Sequence, residues 1–259
     1  MWRAGSLFSL HRIRFACGTE GYVTPYPIDE RKYAELRETR DRMVRGNPYP
    51  NRVRIANPFL PWIGRAIRGG APGIYFVGIA TRSECASDTD DYSRCLAYSE
   101  EVVSDPEKLK SAFWRYINEI TNAVFGKDHW NCTERIGWSN QFKIGVIAEA
   151  SELKNPEGFY EESQTPICSS LLKTEIAFAA ASPVVILGDC PVTRTAYPVG
   201  WDEQEPRHLR IWTRVEGGRP VIFGDHPEYL RWKKPDFRRA HIEAVASKLR
   251  RYFRGFTIR

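Results

Sequence analysis

Short, nearly uninterrupted apolar runs alternate along this chain with longer segments in which apolar residues return every three or four positions. Gly73-Ile74-Tyr75-Phe76-Val77-Gly78-Ile79-Ala80, ended by Thr81 and Arg82, has the pattern of a strand covered on both faces. Val184-Val185-Ile186-Leu187-Gly188-Asp189 and Arg219-Pro220-Val221-Ile222-Phe223-Gly224 read the same way, and residues 136–144 form a further strand candidate that closes on polar residues. Leu209, Ile211, Thr213 and Val215 alternate with Arg210, Trp212 and Arg214. That predicts a half-exposed strand, which Glu216-Gly217-Gly218 turns back into Val221 to Phe223.

Helical spacing fills the gaps. Asp105-Pro106-Glu107 predicts a helix start, followed by Leu109, Phe113, Tyr116, Ile117, Ile120 and Val124 as a core stripe and Gly126 as a stop. Thr165-Pro166 opens another helix, with Leu171, Leu172, Ile176 and Ala179 on one face and Pro183 beyond its end. The last helix runs from about Asp236 to Phe253, its Ile242, Val245, Leu249, Tyr252 and Phe253 inward and its arginines outward. Strands alternating with helices predict a three-layer α/β/α domain over 71–259 with a mainly parallel sheet. Residues 82–103 are polar and irregular and read as a long loop. Residues 1–70 hold one thin, charged helix pattern (29–45), proline-broken segments and a glycine-rich hinge at 69–73, and are expected to be an extension.

Composition narrows the class. The chain has 259 residues, 42% hydrophobic and 27% charged, which describes an ordinary globular protein. No apolar run of membrane-spanning length or secretory signal is read, and a cytoplasmic protein with reduced thiols is expected. The six cysteines include no Cys-x-x-Cys pair, so neither a metal nor a cofactor is expected. The net charge is +6; Arg238, Arg239, Lys248, Arg250, Arg251, Arg254 and Arg259 crowd the end of the chain, and a second basic group lies before Gly70. A polyanion is the natural partner of such a face, and a solvated surface is the plain alternative.

His226-Pro227-Glu228-Tyr229-Leu230 follows the last strand, where open α/β sheets place ligands. Together with Gly78-Ile79-Ala80-Thr81-Arg82 and Trp138-Ser139-Asn140, in this order and on these elements, it resembles the motifs of the uracil-DNA glycosylase superfamily over roughly residues 73–253. The resemblance implies a four-stranded, mainly parallel sheet and a DNA partner; no membrane and no obligatory protein partner are expected. It implies roles as well. Gly78 to Arg82 form the turn that meets the sugar, Asn140 reads the base, His226 stabilises the leaving base, and Leu230 is the wedge, although by its own pattern Leu230 reads as a plain core leucine. Ala80 stands where the most familiar branch has a water-activating aspartate, so Glu84 or Asp88 is the candidate acid. Tyr92 or Tyr98 would stack on the base, and Tyr229, Lys233, Lys234 and Arg238 would contact DNA.

The chemistry fits these residue types. A base in a duplex must be swung out to be reached, Asn offers a donor and an acceptor to its edge, and a fixed donor stabilises the charge that develops on it as the N-glycosidic bond breaks. Where the uracil-strict branch has a tyrosine against C5, this chain has Arg82, so thymine-sized or hypermodified pyrimidines of the phage type become expected substrates. Trp138 and Trp232 are expected to be packing residues. A nucleic-acid-binding protein without chemistry, or a hydrolase of small nucleotides or nucleosides, remains the alternative.

Overall fold

The computed structural model describes residues 27–71, 73–80, 91–104, 110–126, 134–148, 153–154, 157–179, 182–204 and 206–255. In chain order the elements are α1 (Glu30–Arg45), β1 (Val53–Pro58), β2 (Trp62–Ile63), α2 (Arg65–Arg68), β3 (Ile74–Ala80), α3 (Tyr92–Ser104), α4 (Ala112–Phe125), β4 (Ile136–Phe142), β5 (Ile144–Ala148) and β6 (Leu153–Lys154). They continue as α5 (Phe159–Phe178), β7 (Val184–Leu187), α6 (Pro191–Ala196), β8 (Asp202–Glu203), β9 (Trp212–Glu216), β10 (Arg219–Gly224), α7 (Pro227–Arg231) and α8 (Pro235–Phe253). The protein is of mixed α/β class.

The main sheet has seven strands in the order β2-β4-β3-β7-β10-β9-β8. Its four inner strands, β4, β3, β7 and β10, run parallel. The outer ones, β2, β9 and β8, pair antiparallel. β4 and β7 are buried throughout and β3 and β10 along most of their length, which the apolar runs of β3, β7 and β10 predict, while β4 also buries Ser139, Asn140 and Gln141. Tyr75, Val77, Val184, Ile186 and Val221 face a cluster shared with α1, α5 and α6, while Phe76, Val185, Leu187 and Ile222 face one shared with α4 and α8. Because β4 lies on one side of β3 and β7 on the other, the chain changes direction across the sheet at the β3/β7 boundary. The crevice at the carboxyl ends of such a pair is where an open α/β sheet takes ligands.

Residues 27–70 do not stand apart from these layers. β2 is an edge strand of the main sheet, β1 pairs with β5 in a second sheet of order β1-β5-β6, and Ile28, Tyr33 and Leu36 lie in the core beside α5. Sequence alone does not reveal this, because the pairings join segments about 80 residues apart. Segment boundaries also shift. The expected 82–103 loop contains α3 from Tyr92 onward. α4 begins at Ala112, where the Ser111 hydroxyl accepts the Trp114 N–H, and the Asp105-Pro106-Glu107 signal lies outside the described residues. α5 begins at Phe159, with Pro166 inside it. The hairpin through Gly217 and Gly218, both at positive φ, joins β9 to β10 as the alternation predicts. No helix among the described residues is long and apolar enough to cross a membrane.

Candidate functional site

The carboxyl ends of all four parallel strands meet at Gly188. Its φ of +97° is strained for any residue with a side chain. A Cβ there would lie 2.4 Å from Ile79 Cδ1 and 3.1 Å from His226 Cβ. Its N–H donates to Gly224 O (2.8 Å), and its carbonyl accepts from Gln141 Nε2 (2.7 Å). One residue of β7's end therefore touches β3, β4 and β10 together, and only glycine leaves room for it.

Asn140 sits beside this junction, in register with Gly78. A Cβ on Gly78 would lie 2.7 Å from Asn140 Oδ1 and 3.1 Å from the Phe113 ring, so the amide and the ring share the space over that glycine. Gly78, Ile79 and Ala80 end β3 here, and the last two are only partly buried. Behind Asn140, the aromatic series Phe113, Trp114, Trp138 and Phe59 packs with ring centroids 4.7 to 5.6 Å apart. Trp138 is thus a packing residue, as its pattern predicts.

The opposite side of β4 is polar and closed. The fully buried Lys143 donates to Ser139 Oγ (2.6 Å) and to the Asn140 carbonyl, and pairs with the fully buried Glu175 of α5 at 2.7 Å. The Tyr75 hydroxyl donates to the same carboxylate (3.2 Å). Burial, and next Glu175, push that phenol well above its usual pKa. Next to it, Gln141 Oε1 accepts from Cys190 (2.8 Å) and Thr193. Burial raises the Cys190 thiol to about 12, which makes it an inert donor rather than a nucleophile.

His226 caps the amino end of α7. Its Nδ1 accepts the Glu228 N–H at 3.3 Å. In the neutral ring this acceptor role leaves the proton on Nε2, which then acts as a donor. Asp225, the residue before it, lies 3.4 Å from Arg210, the one described non-glycine residue at positive φ. Burial raises the Asp225 pKa, and Arg210 and Lys233 oppose that rise. Arg210 and Lys233 also flank the Tyr229 ring, at 5.8 Å and 4.2 Å from its centroid.

The structure brings Gly78, Ile79, Ala80, Asn140 and His226 to one end of the sheet. Thr81, Arg82, Glu84 and Asp88 lie outside the described residues. Tyr92 and Tyr98 are expected on a loop, and the structure places them on a helix instead. Both lie on α3, where the Tyr92 hydroxyl donates to Ile28 O (2.7 Å), its ring meets Tyr33 edge-on, and Tyr98 packs between the two core clusters. The aromatic beside Asn140 is Phe113, which its helical spacing marks only as core. Leu230, expected as the wedge, is fully buried against α4 and α8. The reverse holds for Trp232, expected to pack, which is 80% exposed. Of the expected DNA contacts, Tyr229 and Lys234 are exposed and Lys233 is partly so, while Arg238 is tied to Glu119 at 2.6 Å. Gly188, Gln141 and the Lys143–Glu175 pair escape sequence reading, since only their long-range partners give them meaning. Among the described residues, no group of three or more His, Cys, Asp or Glu side chains is placed to hold a metal ion. Compared with known protein families and with curated proteins, the chain matches none of them.

Proposed function

We propose that the protein is a DNA glycosylase that takes an extruded uracil-like or C5-modified pyrimidine at the β3/β7 crevice and hydrolyses its N-glycosidic bond, leaving an abasic site. The observation that carries the reading is the junction at Gly188. It holds the His226 turn against Ile79, next to the strand pair in which Asn140 Oδ1 stands over Gly78. Four adjacent parallel strands with helices on both faces also fit the sheet expected from the uracil-DNA glycosylase resemblance.

Each group has a defined task in this reading. The Asn140 amide donates to and accepts from the base edge, and Phe113 offers a ring beside it. The Nε2 proton of His226 meets the charge that develops on the departing base, an effect of about 3 to 4 kcal/mol for one well-placed donor. Tyr229, Lys233 and Lys234 meet phosphates of the strand. Ala80, in place of the expected aspartate, favours a second reading in which the scaffold binds nucleic acid without cutting it.

One experiment separates the two readings. The purified chain is incubated with plain and C5-substituted DNA, released bases are identified by mass spectrometry, and abasic sites are counted. Base release that His226→Ala and Asn140→Ala abolish supports excision. Binding with no release from any substrate leaves only the non-catalytic reading. Release of uracil from plain DNA, with nothing from substituted pyrimidines, removes the proposed preference for modified bases.

A further inference from the structure

Leu230 is sealed in the core and Trp232 is 80% exposed, so the large apolar surface at the end of the His226 turn is an indole. Aromatic side chains ordinarily bury most of their area, and this one stands among cations. The Arg231 guanidinium lies 5.5 Å from its ring centroid, and Lys233 and Lys234 follow it in sequence. Arg231 and Lys233 also line a cleft of about 570 Å³ between α4 and α8, together with Arg238 and Arg239. The cleft's acids are engaged: Glu119 pairs with Arg238 and Glu243 with Arg250. Glu228 lies 3.7 Å from Arg231. Asp225, near Lys233, pairs with Arg210, and Asp236 stands at the start of α8.

We propose that Trp232 is a stacking platform for an unpaired base of a single nucleic-acid strand whose phosphates follow the basic cleft between α4 and α8. This rests on the nucleic-acid part of the function proposed above and adds to it a preference for single strands. Charge complementarity selects the occupant, since a flat ring surrounded by cations matches an unpaired base and its phosphates. An indole stacks only where a base face is open, and inside a duplex both faces are covered. Spacing agrees. His226 and Trp232 cap the two ends of α7, so six residue steps, about 9 Å of helix rise, separate them. That is within about three nucleotide steps at ~3.4 Å each, so a base at His226 and a neighbour at Trp232 belong to one short stretch of strand.

The test is fluorescence anisotropy of the full chain with a labelled oligothymidine and with a duplex of equal length. Trp232→Ala is expected to weaken single-strand affinity roughly five- to hundredfold, while Trp232→Phe keeps most of it and duplex affinity stays near that of the unsubstituted chain. Arg231→Glu is expected to lower the salt dependence of single-strand binding. Thermal transitions of the variants check that the fold is intact. Unchanged single-strand affinity in Trp232→Ala overturns the inference. So does an equal loss on the duplex, or tighter Trp232-dependent binding to phosphatidylserine vesicles or an acidic peptide than to the oligonucleotide. Trp232-dependent affinity without base release sinks the excision reading alone, and base release without that dependence sinks this inference alone.

Discussion

Asn140 and His226 stand at the same end of the sheet, on β4 and after β10 with β3 and β7 between them, and are held in different ways. Asn140 lies inside a strand that pairs on both sides, is 3% exposed, and has a buried ammonium bonded to its own carbonyl. His226 leaves its strand, is partly exposed, and is fixed by a local cap, a proline and the close pack of Gly188. The first is rigid because the interior of the protein holds it, and the second because its own turn does. A group that reads a base's edge needs fixed geometry, whereas a group that meets developing charge needs a proton on the right nitrogen and contact with the reacting base. Damage at the two places should therefore look different, in the fold at one and in the chemistry at the other.

The strand side should break hardest. Lys143→Met leaves the Glu175 carboxylate buried without its ammonium, and loss of one partner of a buried pair costs about 3 to 5 kcal/mol. Urea denaturation should show this loss, and the double change Lys143→Met with Glu175→Leu should recover most of it. Recovery of the fold without recovery of base release would tie the ion pair to the placing of Asn140.

The turn side has its own buried support. His241 of α8 lies under Gly224, where a Cβ would be 3.0 Å from its ring, and its Nδ1 meets the Tyr116 hydroxyl at 2.6 Å. Burial lowers its pKa from 6.5 to about 4. In the unfolded chain the imidazole takes its proton near 6.5, so below that pH the unfolded form binds more protons. Stability should fall as the pH drops from 6.5 to 4, by about 3 kcal/mol from this group. His241→Leu should remove that part of the slope when denaturation is measured across the same range.

Gly188→Ala tests the junction itself. The strained φ and the contacts with Ile79 and His226 predict a loss of about 1 to 3 kcal/mol, read as a lower thermal transition, with base release falling as the His226 turn moves. The smallest effect on the fold belongs to His226. His226→Asn keeps a capping oxygen and should change stability by less than about 1 kcal/mol, while base release should fall by about a hundredfold or more. If the fold suffers as much here as at Lys143, the contrast between the two sides is wrong.

Much of the architecture is legible in the sequence where burial is two-sided and local. β3, β7 and β10 announce themselves as apolar runs, and α8 by its stripe, within a residue or two of their observed limits. The site is legible in outline, since a polar residue directly after such a run has to emerge at the sheet's edge. Legibility fails where a local signal competes with a distant one. Pro166, read as a helix start, is tolerated inside α5. Leu230 is buried as its own pattern reads and not as the wedge that the resemblance implies, while Trp232, two residues on and expected to pack, is left open.

The sequence by itself determined the inner strands, the last helix, the basic surplus and the order of the polar strand ends. Each of these follows from side-chain period or from charge, and both are properties of neighbours in the chain. Only the tertiary structure decided that residues 27–70 join the sheets, that Gly188 is the meeting point of four strands, that Lys143 finds Glu175, and that Trp232 is exposed. Those outcomes depend on which distant segments share a surface, and hydrophobic burial, having no direction of its own, leaves that choice to the packing of the whole.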